Sequence, residues 1–298
     1  MICDAHCHFF SEGFFAALAW QRGRAESIED LTRQLDWEPP GGPEQLAGRW
    51  VRELDGNGVA RAALIASVPR DEASVSAAVA QHPTRFAGFF MVDPSQADAT
   101  DRTRQGLGEL GLHAVCLFPA MHHVGLDDVR TDRVLDMVAG RPGAAVFVHC
   151  GVLTVGVRKR LNLPSRFDAR LGNPLDLQPL ATAYPQVPFI VPHFGAGLFR
   201  EALMLADMCP NVYLDTSSSN GWIRYTPGLT LDDVFKQALA VVGASRLLFG
   251  TDSSFFPRGW QKGIYAMQKR IVEELKTSAD DQALIFGGNF ERLFPRRS

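Results

Sequence analysis

The sequence predicts an α/β protein of the TIM (β/α)₈-barrel class, because short apolar segments alternate with segments of helical periodicity along a chain of 298 residues. Eight segments are apolar almost throughout, as strands of a parallel sheet are when helices cover both faces. These predicted strands are 1–4, 62–67, 86–92, 114–118, 145–148, 189–192, 212–214 and 247–249.

The segments between the predicted strands favour helices, because their apolar residues recur at a spacing of three to four. The predicted helices are 44–57, 130–139, 174–183, 200–208, 231–242 and 264–276. Eight strands that alternate with helices in this length predict a barrel. A doubly wound open sheet is the alternative, but no GxGxxG motif follows the first strand.

We expect one domain over residues 1–298, because no repeat, low-complexity tract or linker divides the chain. Barrels of this class commonly reach about 250 residues as one domain. Two segments, 9–43 and 151–173, are longer than ordinary connections and follow strands 1 and 5. Long connections at the carboxyl ends of barrel strands form lids and pockets, so we expect them to border the site.

Composition excludes several classes of function. The formal net charge is −3, and the densest basic cluster, 158–160, is too short for a nucleic-acid-binding tract. The first residues lack the pattern of a signal peptide, and no apolar run approaches a membrane span. The five cysteines include no CxxC pair, which indicates reduced thiols. We expect a cytoplasmic protein that acts on a small molecule, without nucleic-acid or membrane partners.

Strand 1 carries the first candidate metal ligands, in the sequence Asp4-Ala-His6-Cys7-His8. Alternate residues of a strand share a face, so we expect Asp4, His6 and His8 to point into the barrel and Cys7 to point outward. An HxH pair alone is a weak signal, because two hydrogen-bonded histidines at a strand end would also explain it.

Three further polar residues follow buried strands directly. His149 ends VFVH, His193 ends FIVPH, and Asp252 follows LLFGT. Because the carboxyl ends of all barrel strands meet on one face, these side chains should lie near the strand-1 histidines. Histidine and carboxylate groups that converge in this way are typical of a divalent-metal site.

Seven motifs give the sequence a wider resemblance. It resembles the amidohydrolase superfamily, specifically the amidohydrolase-related branch that includes aminocarboxymuconate semialdehyde decarboxylase. The motifs, in order along nearly the whole chain, are DAHCH, HPTRFAGFFMVDP, VHCG, VPHFGAG, CPNVYLDTSS, GTDSSF and GGNFERLF.

The resemblance implies a role for each candidate residue. His6 and His8 correspond to the family's first two metal ligands, and His149 corresponds to its strand-5 ligand. Asp252 corresponds to the strand-8 carboxylate, which binds the ion or accepts a proton from its water. His193 corresponds to the strand-6 histidine, a nearby acid/base group. This set suits Zn²⁺, with Mn²⁺ and Fe²⁺ as alternatives, and the branch often forms homodimers.

One departure from two-metal members of the superfamily concerns strand 4. Those members often bridge their ions with a carboxylated lysine there, whereas strand 4 here is HAVCLFPA and contains no lysine. We therefore expect one divalent ion. Cys116 in this strand is more typical of a small buried core residue than of a ligand.

Four residues are candidates for substrate binding. Arginines bind carboxylates bidentately, and aromatic side chains beside a few polar groups suit a small organic ligand. Solvated loop charges and ordinary loop packing are the alternatives. The candidates are Arg158, Arg166, Trp222 and Arg258.

The sequence favours a metal-dependent hydrolase of a small, carboxylate-bearing ester, lactone or amide. Its alternative is a non-oxidative decarboxylase of an aromatic or unsaturated carboxylic acid, which would use the same ligands. A barrel that binds a ligand or metal without catalysis is the hypothesis from another class. The fold alone does not choose among them.

Overall fold

The computed structural model describes residues 1–23, 26–218 and 220–296. Its eight strands are all parallel, and each pairs with the next along the chain. The strands are β1 (Ile2–Phe9), β2 (Val59–Ala66), β3 (Phe86–Met91), β4 (Ala114–Leu117), β5 (Ala145–Val148), β6 (Phe189–Val191), β7 (Val212–Asp215) and β8 (Leu247–Leu248).

Residues that follow β8 close the barrel against β1. The backbone N–H of Ala5 donates to the carbonyl of Phe249 at 2.8 Å, and that of His8 donates to the carbonyl of Ser253 at 2.7 Å. The predicted (β/α)₈ barrel is therefore confirmed. This seam also brings the two histidines of β1 beside the loop that carries Asp252.

Helices surround the barrel and extend beyond it on the carboxyl face. They are α1 (Glu12–Arg22), α2 (Ile28–Leu35), α3 (Pro43–Gly56), α4 (Glu72–Gln81), α5 (Ala99–Leu107), α6 (Pro119–His122), α7 (Val129–Ala139), α8 (Gly156–Arg160), α9 (Gln178–Ala183), α10 (Phe199–Met208), α11 (Leu231–Val242), α12 (Lys262–Glu274), α13 (Ala279–Ala283) and α14 (Asn289–Leu293). Short 3₁₀ segments are Ala169–Gly172, Pro174–Leu177, Pro192–Gly195, Asn220–Tyr225 and Ala244–Arg246, and a π-helical turn spans Leu284–Gly288.

The strands separate two apolar cores. In β2, Ala63 and Ile65 belong to the cluster inside the barrel, whereas Ala62 and Leu64 belong to the cluster between strands and helices. Both sides are apolar, which explains why the strands are continuous apolar runs in the sequence.

The two long segments contain helices that form a cap beside the carboxyl face. Helices α1 and α2 lie within 9–43, and α8 lies within 151–173. Ser11 and Ser27 cap the first two helices through their side-chain oxygens. The apolar faces form a third cluster of buried residues, which are Phe14, Phe15, Leu18, Leu31, Leu35, Val157, Leu161 and Leu163.

All five cysteines lie in the described ranges, where each is buried and none forms a disulfide. Among the described residues, no helix combines the length and apolar character needed to cross a membrane.

Candidate metal centre

An extra residue in β1 determines which way its side chains point. Asp4 pairs with Ala62 and Cys7 pairs with Leu64, so three steps along β1 lie opposite two steps along β2. Such a bulge breaks the alternation of faces. The expectation that Asp4 shares a face with His6 is therefore wrong, whereas Cys7 does point outward, into the core between strands and helices.

The Asp4 carboxylate instead joins β1 to the loop after β8. It accepts the backbone N–H groups of His6 at 2.9 Å and of Thr251 at 3.1 Å, and the indole N–H of Trp260 at 2.7 Å. The Thr251 hydroxyl is a fourth donor. Burial raises the pKa of Asp4, although these hydrogen bonds oppose the shift. Asp4 thereby holds the backbone on both sides of the centre.

Three side-chain atoms converge at the carboxyl end of β1. Nε2 of His6 lies 3.3 Å from Nε2 of His8. The Asp252 Oδ1 atom lies 3.2 Å from the His8 nitrogen and 3.8 Å from the His6 nitrogen. These three residues form a group whose ligand atoms could hold one metal ion.

Hydrogen bonds behind the two rings fix which nitrogens face the centre. Nδ1 of His6 lies 2.6 Å from the Asp215 carboxylate. Nδ1 of His8 lies 2.8 Å from the hydroxyl of Ser67, which itself donates to the carbonyl of Ile65 and so accepts from the ring. In neutral rings both Nε2 atoms then carry lone pairs. Three acceptor atoms that face one another need a positive charge between them, and a divalent cation fits this need.

The surroundings shift the pKa values of the three groups in different directions. Burial would lower the pKa of His6, but the charge of Asp215 and its hydrogen bond raise it above its ordinary value. Burial would raise the pKa of Asp252, but the hydrogen bond with His8 and the nearby His6 hold it well below its ordinary value. Burial lowers the pKa of His8. An ionised carboxylate beside a neutral imidazole is a suitable donor set for a hard or borderline cation.

His149 borders the same cavity but lies outside this compact group of three. Its ring stacks on Phe118 with centroids 5.4 Å apart, and its buried Nδ1 has no hydrogen-bond partner among the described residues. Burial, followed by the neighbouring His193, lowers its pKa well below the ordinary value. The neutral ring therefore has an unused nitrogen, and its role as a ligand stays a prediction.

His193 lies on a left-handed turn directly after β6. Its φ is 53°, and Phe194 and Ala196 also have positive φ, of 52° and 44°. Asp252 has a φ of 59°. Non-glycine residues in this region are strained and cluster at functional sites. The turn places the buried ring of His193 against Ser217, whose Oγ lies 2.8 Å from Nδ1.

Gly250 permits β8 to approach the centre. A Cβ atom there would lie 2.7 Å from Oδ1 of Asp215, and 3.0 Å from the Cβ atoms of both His6 and Ser217. A larger residue would displace the carboxylate that orients His6, so the glycine before Thr251 has a steric reason.

A cavity of about 750 Å³ opens above these residues, and His6, His8, His149, His193 and Asp252 all line it. Its wall contains a column of aromatic rings. Phe14 stacks on Phe10 at 3.9 Å, Phe10 on Trp37 at 5.7 Å, and Trp37 on Phe255 at 4.1 Å. The cap and the loop after β8 thus build one apolar side of the cavity.

The predicted substrate residues divide into two pairs. Trp222 and Arg258 line the cavity. Arg258 donates to the carbonyl of Asp252 at 3.1 Å and to the hydroxyl of Ser254 at 2.6 Å, and its guanidinium lies 4.4 Å from the ring centroid of Phe255.

The other two candidates, Arg158 and Arg166, do not line the cavity. Arg158 bonds to Gln21 of the cap and to the Pro164 carbonyl. The carbonyl of Arg166 accepts from His123 at 2.6 Å. The side chain of Arg158 and the backbone of Arg166 therefore hold the 151–173 segment against neighbouring parts of the chain.

Sequence reasoning did not select several residues that the structure brings to the site. Arg160 belongs to the basic residues of the loop after strand 5, any of which could bind a carboxylate, and Arg224 carries no sequence signal, yet both line the cavity. Ser67 orients His8 through a hydrogen bond that no local sequence pattern predicts. The sequence does contain a signal for Asp215. It is a polar residue at the carboxyl end of β7, just as His149 and Asp252 come directly after other strands.

The family model described as Amidohydrolase matches residues 3–296, so the chain belongs to this family and the resemblance is confirmed. A curated relative, Protein fluG of Emericella nidulans, is 36% identical over 86 residues, which are 29% of this chain. The match spans only 10% of that relative's length.

Three solved structures share the fold at low identity. The 5-carboxyvanillate decarboxylase of Sphingomonas paucimobilis is 17% identical, with a TM-score of 0.68 and 99% of each chain covered. A Burkholderia multivorans amidohydrolase with bound zinc is 15% identical, with a TM-score of 0.65 and 100% of each chain covered. A probable 2-pyrone-4,6-dicarboxylic acid hydrolase of Acinetobacter baumannii is 14% identical, with a TM-score of 0.61 and 98% of each chain covered.

Proposed function

We propose that this chain is a metal-dependent hydrolase of a small, carboxylate-bearing ester, lactone or amide. The observation that carries the proposal is the convergence of His6, His8 and Asp252 on one point in the lining of the cavity. His149 is the proposed additional ligand, because its buried Nδ1 lacks another partner among the described residues.

A divalent ion held there would polarise a carbonyl and lower the pKa of a bound water, for zinc to about 7. We assign two tasks to the chain's own residues. Asp252, ionised and within hydrogen-bond reach of the centre, accepts a proton from the attacking water. His193 donates toward the oxygen on which charge develops.

The charges of the cavity wall support an anionic substrate. Three arginines line the cavity, namely Arg160, Arg224 and Arg258, whereas Asp252 contributes a carboxylate to the same lining. Positive groups in a low-dielectric cleft concentrate and orient anions, and a guanidinium matches the geometry of a carboxylate. The stacked rings from Phe14 to Phe255 favour a planar or unsaturated carbon skeleton.

Non-oxidative decarboxylation is the second candidate. The flat aromatic wall suits an aromatic acid, and a structural neighbour is a 5-carboxyvanillate decarboxylase. The ligands would be the same, and His193 would deliver a proton to the carbon that loses CO₂. A barrel that only binds its ligand is the third possibility, and it predicts no turnover with any substrate.

Metal analysis by mass spectrometry, on protein purified without added metal, tests the centre. About one equivalent of a divalent ion per chain is expected from one compact group of ligands; two equivalents would contradict a mononuclear site. Zinc is the first expectation, with manganese or iron(II) as alternatives. A panel of lactones, esters and carboxylated aromatics in H₂¹⁸O then separates the reactions, since hydrolysis incorporates ¹⁸O and decarboxylation releases CO₂.

Replacing Asp252 by Asn tests the proton acceptor. We expect kcat to fall by about 100-fold or more, because an amide cannot accept the proton. Asp176→Asn, which alters a carboxylate outside the cavity lining, is the matched control and should leave kcat unchanged. Unaltered turnover in a metal-loaded Asp252→Asn variant would remove the proposed role.

A further inference from the structure

Ser217 lies, fully buried, between two of the histidines. Its Oγ is 3.0 Å from Nδ1 of His6 and 2.8 Å from Nδ1 of His193. Its backbone N–H donates to Oδ1 of Asp215 at 2.6 Å. This serine follows β7 and is not among the predicted ligands or acid/base groups, so its hydroxyl needs a separate explanation.

The hydrogens around Ser217 can be assigned by requiring an acceptor for each buried donor. Nδ1 of His6 gives its hydrogen to Oδ2 of Asp215, the nearest acceptor at 2.6 Å. The hydroxyl hydrogen of Ser217 then has Nδ1 of His193 as its acceptor. The His193 ring also has the Ser218 backbone as a hydrogen-bond partner. If Nδ1 of His193 carried a hydrogen, however, the Ser217 oxygen would lie beside two N–H groups, and the hydroxyl hydrogen would have no acceptor among the contacts described.

From this assignment we infer that Ser217 is a positioning residue that holds His193 as the tautomer protonated on Nε2. Since Nδ1 is engaged by the serine and the ring lines the cavity, Nε2–H is the group that His193 presents to a substrate. A nitrogen that carries a hydrogen has no lone pair for a metal ion. His193 is therefore a hydrogen-bond donor in the cavity and not a further ligand.

This inference rests on the proposed function for its chemical consequence. A neutral imidazole with Nε2–H stabilises a developing oxygen anion by hydrogen bonding, without giving up its proton. Protonation of a carbon atom would require a ring that can lose a proton. The tautomer therefore favours hydrolysis over decarboxylation as the reaction of this site.

Nitrogen-15 NMR of the zinc-loaded protein, labelled on histidine, tests the tautomer without any substrate. His193 is assigned by the signals lost in His193→Gln. We expect an unprotonated, pyridine-type Nδ1 and a protonated, pyrrole-type Nε2, and in Ser217→Ala a mixture of the two tautomers. A pyrrole-type Nδ1 in the parent protein, as donation to the neighbouring Ser218 carbonyl would produce, overturns the inference whatever the reaction proves to be.

Kinetics with three substitutions test whether the hydroxyl acts through His193. Ser217→Thr keeps the hydroxyl, and Ser217→Val has nearly the same shape without it. We expect kcat to fall about 10- to 100-fold in Ser217→Ala and Ser217→Val, with KM within about twofold, and most of kcat to return in Ser217→Thr. Equal losses in the Thr and Val variants would contradict the inference, because they would reflect only packing.

Two controls separate these outcomes from a failure of the proposed function. Zinc content should stay near that of the parent in Ser217→Ala, since His6 keeps its bond to Asp215. Ser76 lies in the outer helix α4, where its hydroxyl donates to the Leu110 carbonyl. Ser76→Ala should leave both the His193 tautomer and kcat unchanged. If no substrate is ever found, the NMR result still decides the tautomer.

Discussion

The two histidines of β1 are supported by groups of different strength. His6 gives its Nδ1 hydrogen to a fully buried carboxylate, that of Asp215, whereas His8 gives its hydrogen to the hydroxyl of Ser67. A carboxylate behind an imidazole both orients the ring and makes its other nitrogen more basic. His6 should therefore be the better-held of the two candidate ligands.

This difference gives an ordered prediction for metal affinity. Replacing Asp215 by Asn should weaken zinc binding about 10- to 100-fold, the usual effect of losing such a partner. Ser67→Ala should weaken it less, since only a neutral hydrogen bond is lost. Competition with a chromophoric chelator measures both, with Asp101→Asn on an exposed helix as the control. An Asp215→Asn variant with parental affinity would refute the assignment of His6 as a ligand.

Asp4 contributes to the site through the backbone, and its replacement by Asn tests this. Each carboxylate oxygen accepts two hydrogen bonds, so an amide NH₂ would face two donors in place of an acceptor. We expect a loss of about 1–3 kcal/mol in the free energy of unfolding, the cost of leaving buried donors unpaired. Urea denaturation measures it. A loss below about 0.5 kcal/mol, the usual size for a surface change, would show that the loop after β8 needs no such anchor.

At the scale of elements, the order of strands and helices was predictable because it depends on burial. Each strand is apolar on both sides, and each helix is apolar on one side, which leaves distinct periods in the sequence. The bulge in β1 leaves no such trace. It reversed the side of Asp4, because one inserted residue changes facing without changing composition.

The cap shows a second feature that the sequence does not predict, namely which of several neighbouring arginines reaches the cavity. Val157 fixes the orientation of α8 by packing into the cap, and the chain then directs Arg160 to the cavity while Arg158 reaches Gln21 of α1. That choice depends on a contact between segments more than one hundred residues apart. A basic cluster in a sequence therefore predicts charge near the site but not which side chain enters it.

The segments that follow β5 and β6 approach so closely that no side chain fits at Gly151. Its φ is +71°, and a Cβ atom would lie 2.2 Å from the carbonyl oxygen of Gly195 and 2.4 Å from that of Ala196. We expect Gly151→Ala to lose roughly 3 kcal/mol or more of stability, since backbone must move next to His193. Thermal unfolding measures it.

Gly263→Ala is the matched control for that substitution. Gly263 lies in α12, and a Cβ atom there meets nothing within 4 Å. Alanine in a helix should raise stability by up to about 1 kcal/mol. Similar melting temperatures for the two variants would contradict the steric role of Gly151.

At the scale of the whole molecule, the barrel is filled by aromatic rings from its amino end to the candidate centre. Phe290 and Phe294 of the C-terminal segment join the interior cluster with Phe89 and Phe147. The ring of Phe147 lies 5.1 Å from that of His6. The interior is thus a packed column that supports the centre from below, as in other barrels of this class.

A buried arginine closes the amino end of this column. Its contacts give a prediction about both the stability of the protein and its zinc content. Arg61 is 0% exposed and bonds to Glu291 at 2.9 Å and to the Phe294 carbonyl at 2.6 Å. Its Nε and Nη2 atoms have no partner among the described residues. Glu291→Ala should therefore cost roughly 3 kcal/mol, because a buried guanidinium loses its counter-charge.

The double variant Arg61→Met, Glu291→Ala separates the loss of a charge partner from the loss of packing. Removing both charges should restore part of the stability, since the uncompensated cation is gone. Urea unfolding midpoints for the single and double variants measure this coupling, and Asp101→Asn, in an exposed pair, should shift the midpoint little. Zinc content should equal that of the parent protein in every folded variant, because Arg61 and Glu291 lie at the end of the barrel away from His6 and His8. A double variant less stable than Glu291→Ala would show that Arg61 acts through its packing on Phe290, and reduced zinc content would show that the two ends of the barrel are coupled.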